Sequence, residues 1–295
     1  DTARKNIGAK TQQILTSGIQ TLSADAFIQM GNMDTIRRDI QRQKAKNRPL
    51  EPHSIDQINI QFPWTATGDV NPQPFLIYDN GPLALENRII VFAAESALQH
   101  LSNCDTWYMD GNFKVAPHYF TQLYVIRAKL DNAAISCVYA LLPGKSANIY
   151  TEMFQAINQK MAHLGLVPNI TSAVVDFEIA AYESLKNTFY HQIHVHGCFY
   201  HLTQSTWRKV MDIGLSQLYR NDDNAKQFVG MMDGLAFLPI NDVVAGLEIL
   251  RRNIPNQAIL PLLNYFSDTY ILGGIIPNQN QGNVPILRFP PRFPP

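Results

Sequence analysis

Between Trp107 and Gly144 the chain runs through three strand-length stretches, "WYMDGNFKVAP", "FTQLYVIRAKL" and "AISCVYALLPG", parted only by the turn-prone pieces "HY" and "DNA". Such close spacing predicts an antiparallel meander. The apolar period then lengthens: Tyr150, Met153, Phe154, Ile157, Met161 and Leu164 recur at helical intervals, and Gly165 closes the helix. Strand and helix alternate next, with "NITSAVVDFE" and "HQIHVHGCFYH" as strands and "IAAYESLKNTF" and "LTQSTWRKVMDIGLSQLYR" as helices. From Asn221 the pattern is helical throughout, in "AKQFVGMMDGLAFL", "INDVVAGLEILRRN" and "ILPLLNYFSDTY". Upstream of the meander, "NRIIVFAAESALQHLS" reads as a strand leading into a helix, and "PFLIYDNG" ends in a turn signal. Residues 47–75 are rich in Pro, Asn and Gln and predict a linker with one short strand, "DQINIQF". The final "ILRFPPRFPP" excludes a regular helix.

Three strands, then helix, strand, helix, strand, helix, is the order of an α/β ribonuclease H-like core. The expectation is a mixed five-stranded sheet ordered 3-2-1-4-5 with a helical C-terminal extension. The corresponding division is a basic segment and linker over 1–75, the core over 76–210, and the helical extension with its Pro-rich tail over 211–295. In that topology the first strand lies centrally, beside the fourth. Asp110 is on the first, and Asp176 ends the fourth.

Composition narrows the class. The 295 residues are 46% hydrophobic and only 16% charged, which fits a folded chain and excludes disorder. Cys104, Cys137 and Cys198 are too few and too scattered for a disulfide framework, so a reducing compartment is expected. No apolar run reaches membrane-helix length, and no membrane association is expected. With no initiator Met, the sequence reads as a fragment. Lys+Arg and Asp+Glu balance at 24 each, but residues 1–50 hold nine basic side chains against four acids. There "MDTIRRDIQRQKAKNRP" predicts a helix capped by Asp34, presenting Arg37, Arg38, Arg42, Lys44 and Lys46. It is either a solvated face or a phosphate-contacting one.

The chemistry-bearing residues each admit two readings. Asp110 and Asp176 meeting at a sheet edge would repel each other unless cations lie between them, which suits divalent metal. Alternatively, Asp110-Gly111 is a turn and Asp176 caps the following helix. "LPGKS" lacks the leading glycine of a phosphate loop, Tyr139 standing at that position, and is read as a turn. His194, His196, Cys198 and His201 offer zinc-ligand chemistry without a second cysteine pair. Trp107, Tyr108, Phe113, Tyr119 and Phe120 are read as strand packing rather than base-stacking platforms.

Taken together, "YMDGNFKVAPHYFTQLYVIRA", "VYALLPGKSANIYTEMFQAI", "VVDFEIAA", "GCFYHLTQSTWRKV" and "YFSDTYI", with the closing "RFPPRFPP", resemble the transposase domain of Mutator-like (MULE) DNA elements, in the animal type associated with FLYWCH zinc fingers. The resemblance implies a nuclear, metal-dependent DNA transposase that cuts and joins strands at transposon ends through an Asp-Asp-Glu triad. It puts Asp110 and Asp176 at the first two acids, binding Mg²⁺ or Mn²⁺. It matches Cys198 and His201 to the family's Cys-x-x-His, and Glu178 to an acid two residues past the second Asp. DNA is the implied partner, with homo-oligomers also in view. Asn112 stands where the family has Thr. The family's third acid, in an Asn-Asn-x-x-Glu context, is missing from this sequence, and Glu248 and Asp268 substitute by composition only. The domain is therefore expected to be catalytically incomplete here. The alternative is a remnant or domesticated module that binds DNA or protein without catalysis.

Overall fold

The computed structural model describes residues 11–23, 25–26, 29, 32–46, 49, 51–69, 71–189 and 193–273. Basic residues Arg4, Lys5, Lys10 and Arg48, and the Pro-rich end, lie outside them.

A seven-stranded mixed sheet organises the chain, in the order β1-β2-β5-β4-β3-β6-β7. Its strands are β1 (Leu76–Asp79), β2 (Ile90–Phe92), β3 (Thr106–Asn112), β4 (Gln122–Leu130), β5 (Ala133–Leu142), β6 (Ser172–Val175) and β7 (His194–Gly197). The sheet thus has two strands more than the five expected, because "LIYD" and "IVF" pair antiparallel with each other and β2 joins β5. β3 pairs antiparallel with β4 and parallel with β6, and β7 runs parallel to β6. The strand expected in "DQINIQF" is instead a 3₁₀ turn at Ile55–Gln57.

Alternation along β3 decides which side chains are buried. Trp107 and Met109 enter the core, whereas Tyr108 is partly exposed on the opposite face. On β4 the same core face takes Gln122, Tyr124, Ile126 and Ala128, all fully buried. Three helices cover that face: α3 (Glu95–Asn103), α4 (Ala147–His163) and α5 (Ile179–Thr188), counted after α1 (Thr11–Gln20) and α2 (Met33–Lys46). Helix α4 buries Tyr150, Met153, Phe154, Ile157 and Met161, the stripe its periodicity predicts, and Gly165 follows with φ 72°.

A second hydrophobic cluster gathers the later helices α6 (Phe199–Asp212), α7 (Ser216–Asn221), α8 (Asp223–Gly234), α9 (Ile240–Arg252) and α10 (Leu260–Phe266). It starts with Leu202 and Val210 of α6, so an edge at 210/211 falls inside that helix. Phe177 packs against this cluster, its ring 5.1 Å from that of Tyr270.

Among the described residues Arg88 is the most buried cation, 2% exposed. Its Nε and Nη2 donate to the two carboxylate oxygens of Asp79 at 3.0 and 2.8 Å, and Nη1 donates to the Ile55 carbonyl at 2.8 Å. This clamp ties the linker to the β1–β2 edge of the sheet.

Candidate functional site

The parallel register of β3 and β6 pairs Thr106 with Ser172, Trp107 with Ala173 and Tyr108 with Val174. Continued by two residues, it brings Asp110 level with Asp176 at the C-terminal ends of two neighbouring strands. Asp110 and Gly111 lie within β3, so they do not form a turn. Asp176 does not cap α5: the N-cap position is Glu178, whose side chain makes no capping hydrogen bond.

Asp176 is the more unusual carboxylate. Its Oδ1 is buried and has no hydrogen-bond partner among the described residues. Burial first, then the neighbouring Glu178 charge, push its carboxyl up to about 7, with Lys145 opposing and Asp110 adding to the rise. An uncompensated buried oxygen of this kind costs free energy unless a cation or a proton meets it. Hard divalent cations take oxygen ligands and retain waters, so Asp110 and Asp176 fit such an ion as a two-carboxylate set. Among the described residues no three His, Cys, Asp or Glu side chains converge as a metal-holding group, so neither Glu248 nor Asp268 completes one. Glu248 pairs with Arg251 on α9 instead.

Glu178 is engaged by two partners that lie far from it in sequence. Lys145 forms an ion pair with its Oε1, and the Tyr150 hydroxyl donates to its Oε2. The Lys145 ammonium also lies 3.9 Å over the Phe113 ring. Tyr150 accepts from Gln122 Nε2 at 2.9 Å, and the same amide donates to the Gly144 carbonyl at 2.9 Å. "LPGKS" is therefore a loop whose Lys reaches the acids, a role that spacing alone does not reveal because the partner lies 33 residues on. Gly111 is the counterpart of this network within β3. A Cβ there would sit 2.2 Å from Gln122 Oε1, so any larger residue would have to displace the buried amide from its place against β3. Among the described residues the Tyr124 hydroxyl is also buried without a partner, and Gln122 Oε1 is likewise unpaired.

On the other flank, β7 ends at Gly197, earlier than the "HQIHVHGCFYH" pattern predicts. Cys198 is the N-cap position of α6, and His201 lies in its first turn. This turn carries His201 Nε2 to 3.5 Å from Asp110 Oδ1, with its Nδ1 buried and without a partner among the described residues. Gly197 is confined by the Phe177 ring, 2.5 Å from where a Cβ would stand. Cys198 is a free thiol.

The basic helix α2 forms where expected, but Asp34 lies within its first turn and does not cap it, the Asp34 N–H donating to Asn32 Oδ1 at 2.8 Å, and the cations differ in surroundings. Arg37 pairs with Asp34 at 3.0 Å and Arg42 with Asp39 at 3.3 Å, while Lys44 is buried. Arg38 and Lys46 are exposed.

No curated protein and no solved structure matches the chain. Residues 106–205, the stretch that holds Asp110, Lys145, Asp176, Glu178, Cys198 and His201, match the family model for the MULE transposase domain, which makes this segment similar to that domain and supports a transposase-like function.

Proposed function

We propose that the chain contains a MULE-type DNA transposase domain on a ribonuclease H-like core, acting in phosphoryl transfer on DNA. One observation carries this reading: a buried, unpartnered Asp176 oxygen at the strand end beside Asp110, inside the segment that matches the family. The run β5-β4-β3-β6-β7 within the sheet supports the core assignment, and the motifs on either side of it support the animal type associated with FLYWCH fingers. Asp110 and Asp176 would hold Mg²⁺ or Mn²⁺. Such an ion, when bound, activates an attacking oxygen and stabilises the leaving one. The chain's own residues supply the rest. Lys145 pairs with Glu178 and offsets part of its charge beside the two aspartates. Tyr150 and Gln122 fix Glu178 from below, and His201 orients the Asp110 carboxylate. DNA is the partner and the nucleus the compartment of this reading.

Thermal unfolding with and without millimolar Mn²⁺ tests it. The parent protein is expected to melt higher with Mn²⁺, and Asp110→Asn to lose that gain while being no less stable without metal, because one of two mutually repelling charges is gone. Equal responses of the two proteins to Mn²⁺ would reject the metal site.

A second reading, a DNA-binding or interaction module without catalysis, is favoured by the lack of a third converging acid among the described residues. Under either reading the basic segment is the proposed phosphate-contacting surface. Deleting residues 1–50, which removes nine basic and four acidic residues, is expected to flatten the salt dependence of DNA binding by roughly one unit of logarithmic slope for every phosphate the segment had neutralised. An unchanged slope places the DNA surface elsewhere.

A further inference from the structure

Along α6, the helix whose first turn carries His201, lies a cleft of about 390 Å³ that the function above leaves without a role. That is within the range of small-molecule sites and ample for one planar heterocycle. Tyr200, Thr203, Gln204 and Trp207 line it from one face of α6, at helical spacings of three, four and seven. Tyr219 of α7 and Asp233 of α8 close it. Trp207 and Tyr219 stand with ring centroids 5.1 Å apart as the inner wall, and Tyr200 is left 65% exposed at the mouth.

The cleft is aromatic on its walls and polar at its edges. Gln204 Nε2 donates to the Tyr200 hydroxyl at 3.1 Å. Asp233 accepts the Thr206 hydroxyl on Oδ1 at 2.7 Å, and its second oxygen makes no hydrogen bond among the described residues. A flat π-system with ring N–H or amino groups along its edge satisfies both features, since the walls stack and the carboxylate and amide accept. Location adds the decisive constraint. Tyr200 precedes His201 in the same helical turn, their rings are 5.4 Å apart, and His201 Nε2 is 3.5 Å from Asp110. Tyr200 at the mouth of the cleft is thus one side chain removed from Asp110, by way of His201.

We infer that the α6–α8 cleft accepts an unpaired nucleobase of the DNA strand engaged at Asp110 and Asp176, stacked on Tyr200 and Trp207. This rests on the DNA-processing reading above. It makes the protein prefer sites where a base has left the duplex, as enzymes that work on extruded nucleotides do.

The test uses the full chain and two labelled probes of equal length, a fully paired duplex and a single strand carrying 2-aminopurine, titrated at fixed salt. The parent is expected to quench the 2-aminopurine and to bind the single strand the tighter. Tyr200→Ala, a change at an exposed position, should weaken single-strand binding roughly 5- to 150-fold, the worth of one aromatic–base stack. Tyr200→Phe should restore it, and duplex binding should not move. An Asp233→Asn variant that binds the single strand as the parent does would remove the carboxylate from the site but leave the stacking to the Tyr200 pair. Indifference of single-strand binding to Tyr200→Ala, or an equal loss on both probes, overturns the cleft while leaving the metal site standing, since the Mn²⁺ response is measured without DNA. Failure of the parent to bind either probe overturns the cleft and the nucleic-acid reading together.

Discussion

Asp176→Asn is expected to make the chelator-treated protein more stable above neutral pH and to flatten its response to pH. The carboxyl ionises near 3.8 in the unfolded chain and near 7 when folded, chiefly because burial disfavours its charge. The folded state therefore binds the extra proton between those values. The stabilisation that this proton confers is complete below 3.8 and is lost as pH rises through about 7. At one pKa unit per ~1.4 kcal/mol, the loss is on the order of 4 kcal/mol. Asparagine cannot ionise, so denaturant melts from pH 5 to pH 8 should show the parent falling and the variant nearly level. The two curves running parallel would mean that Asp176 is solvated and not held charged against its surroundings. The same substitution should abolish the Mn²⁺ gain in melting temperature, a readout that simple relief of burial does not move.

The second large effect lies away from the site. Arg88→Ala is expected to cost about 3–5 kcal/mol, because it leaves the largely buried Asp79 carboxylate without its cation, with only the Gly81 N–H still donating to it, and removes the side-chain donor from the Ile55 carbonyl. Chemical denaturation measures it. The pairing itself is worth less than that figure. A double change of Arg88→Met with Asp79→Leu, which replaces both charges by apolar groups, should recover most of the loss. If Arg88→Ala melts with the parent, the clamp is not holding the linker to the sheet edge.

Much of the core was legible in the pattern of residues. The meander and the stripe on α4 follow from periods of two and near four, and these depend only on which side chains must leave water. Asp110 stood out because an acid inside an aromatic strand needs a reason. The rest was hidden for identifiable causes. β2 is legible as the strand in "NRIIVF", but at three residues it carries no sign of which strands it pairs with, and β1, at four residues, is too short for periodicity to mark it as a sheet member. Cys198 and His201 continue the apolar-polar rhythm of β7, yet a helix begins there, since Gly197 accommodates the Phe177 ring and the chain turns away. Lys145, Tyr150 and Gln122 have ordinary local roles in loop, helix and strand. Only the tertiary fold brings them to Glu178, and no local rule of spacing encodes a contact of that range.

Phe177 separates Asp176 from Glu178 in sequence, and its ring rests on Tyr270 of the helical extension and against the bare backbone of Gly197. The two carboxylates are thus mounted on either side of a residue that belongs to the other hydrophobic cluster. The backbone that carries both acids is therefore anchored through one ring to the helical extension, and the positions of Asp176 and Glu178 depend on how Phe177 is seated there.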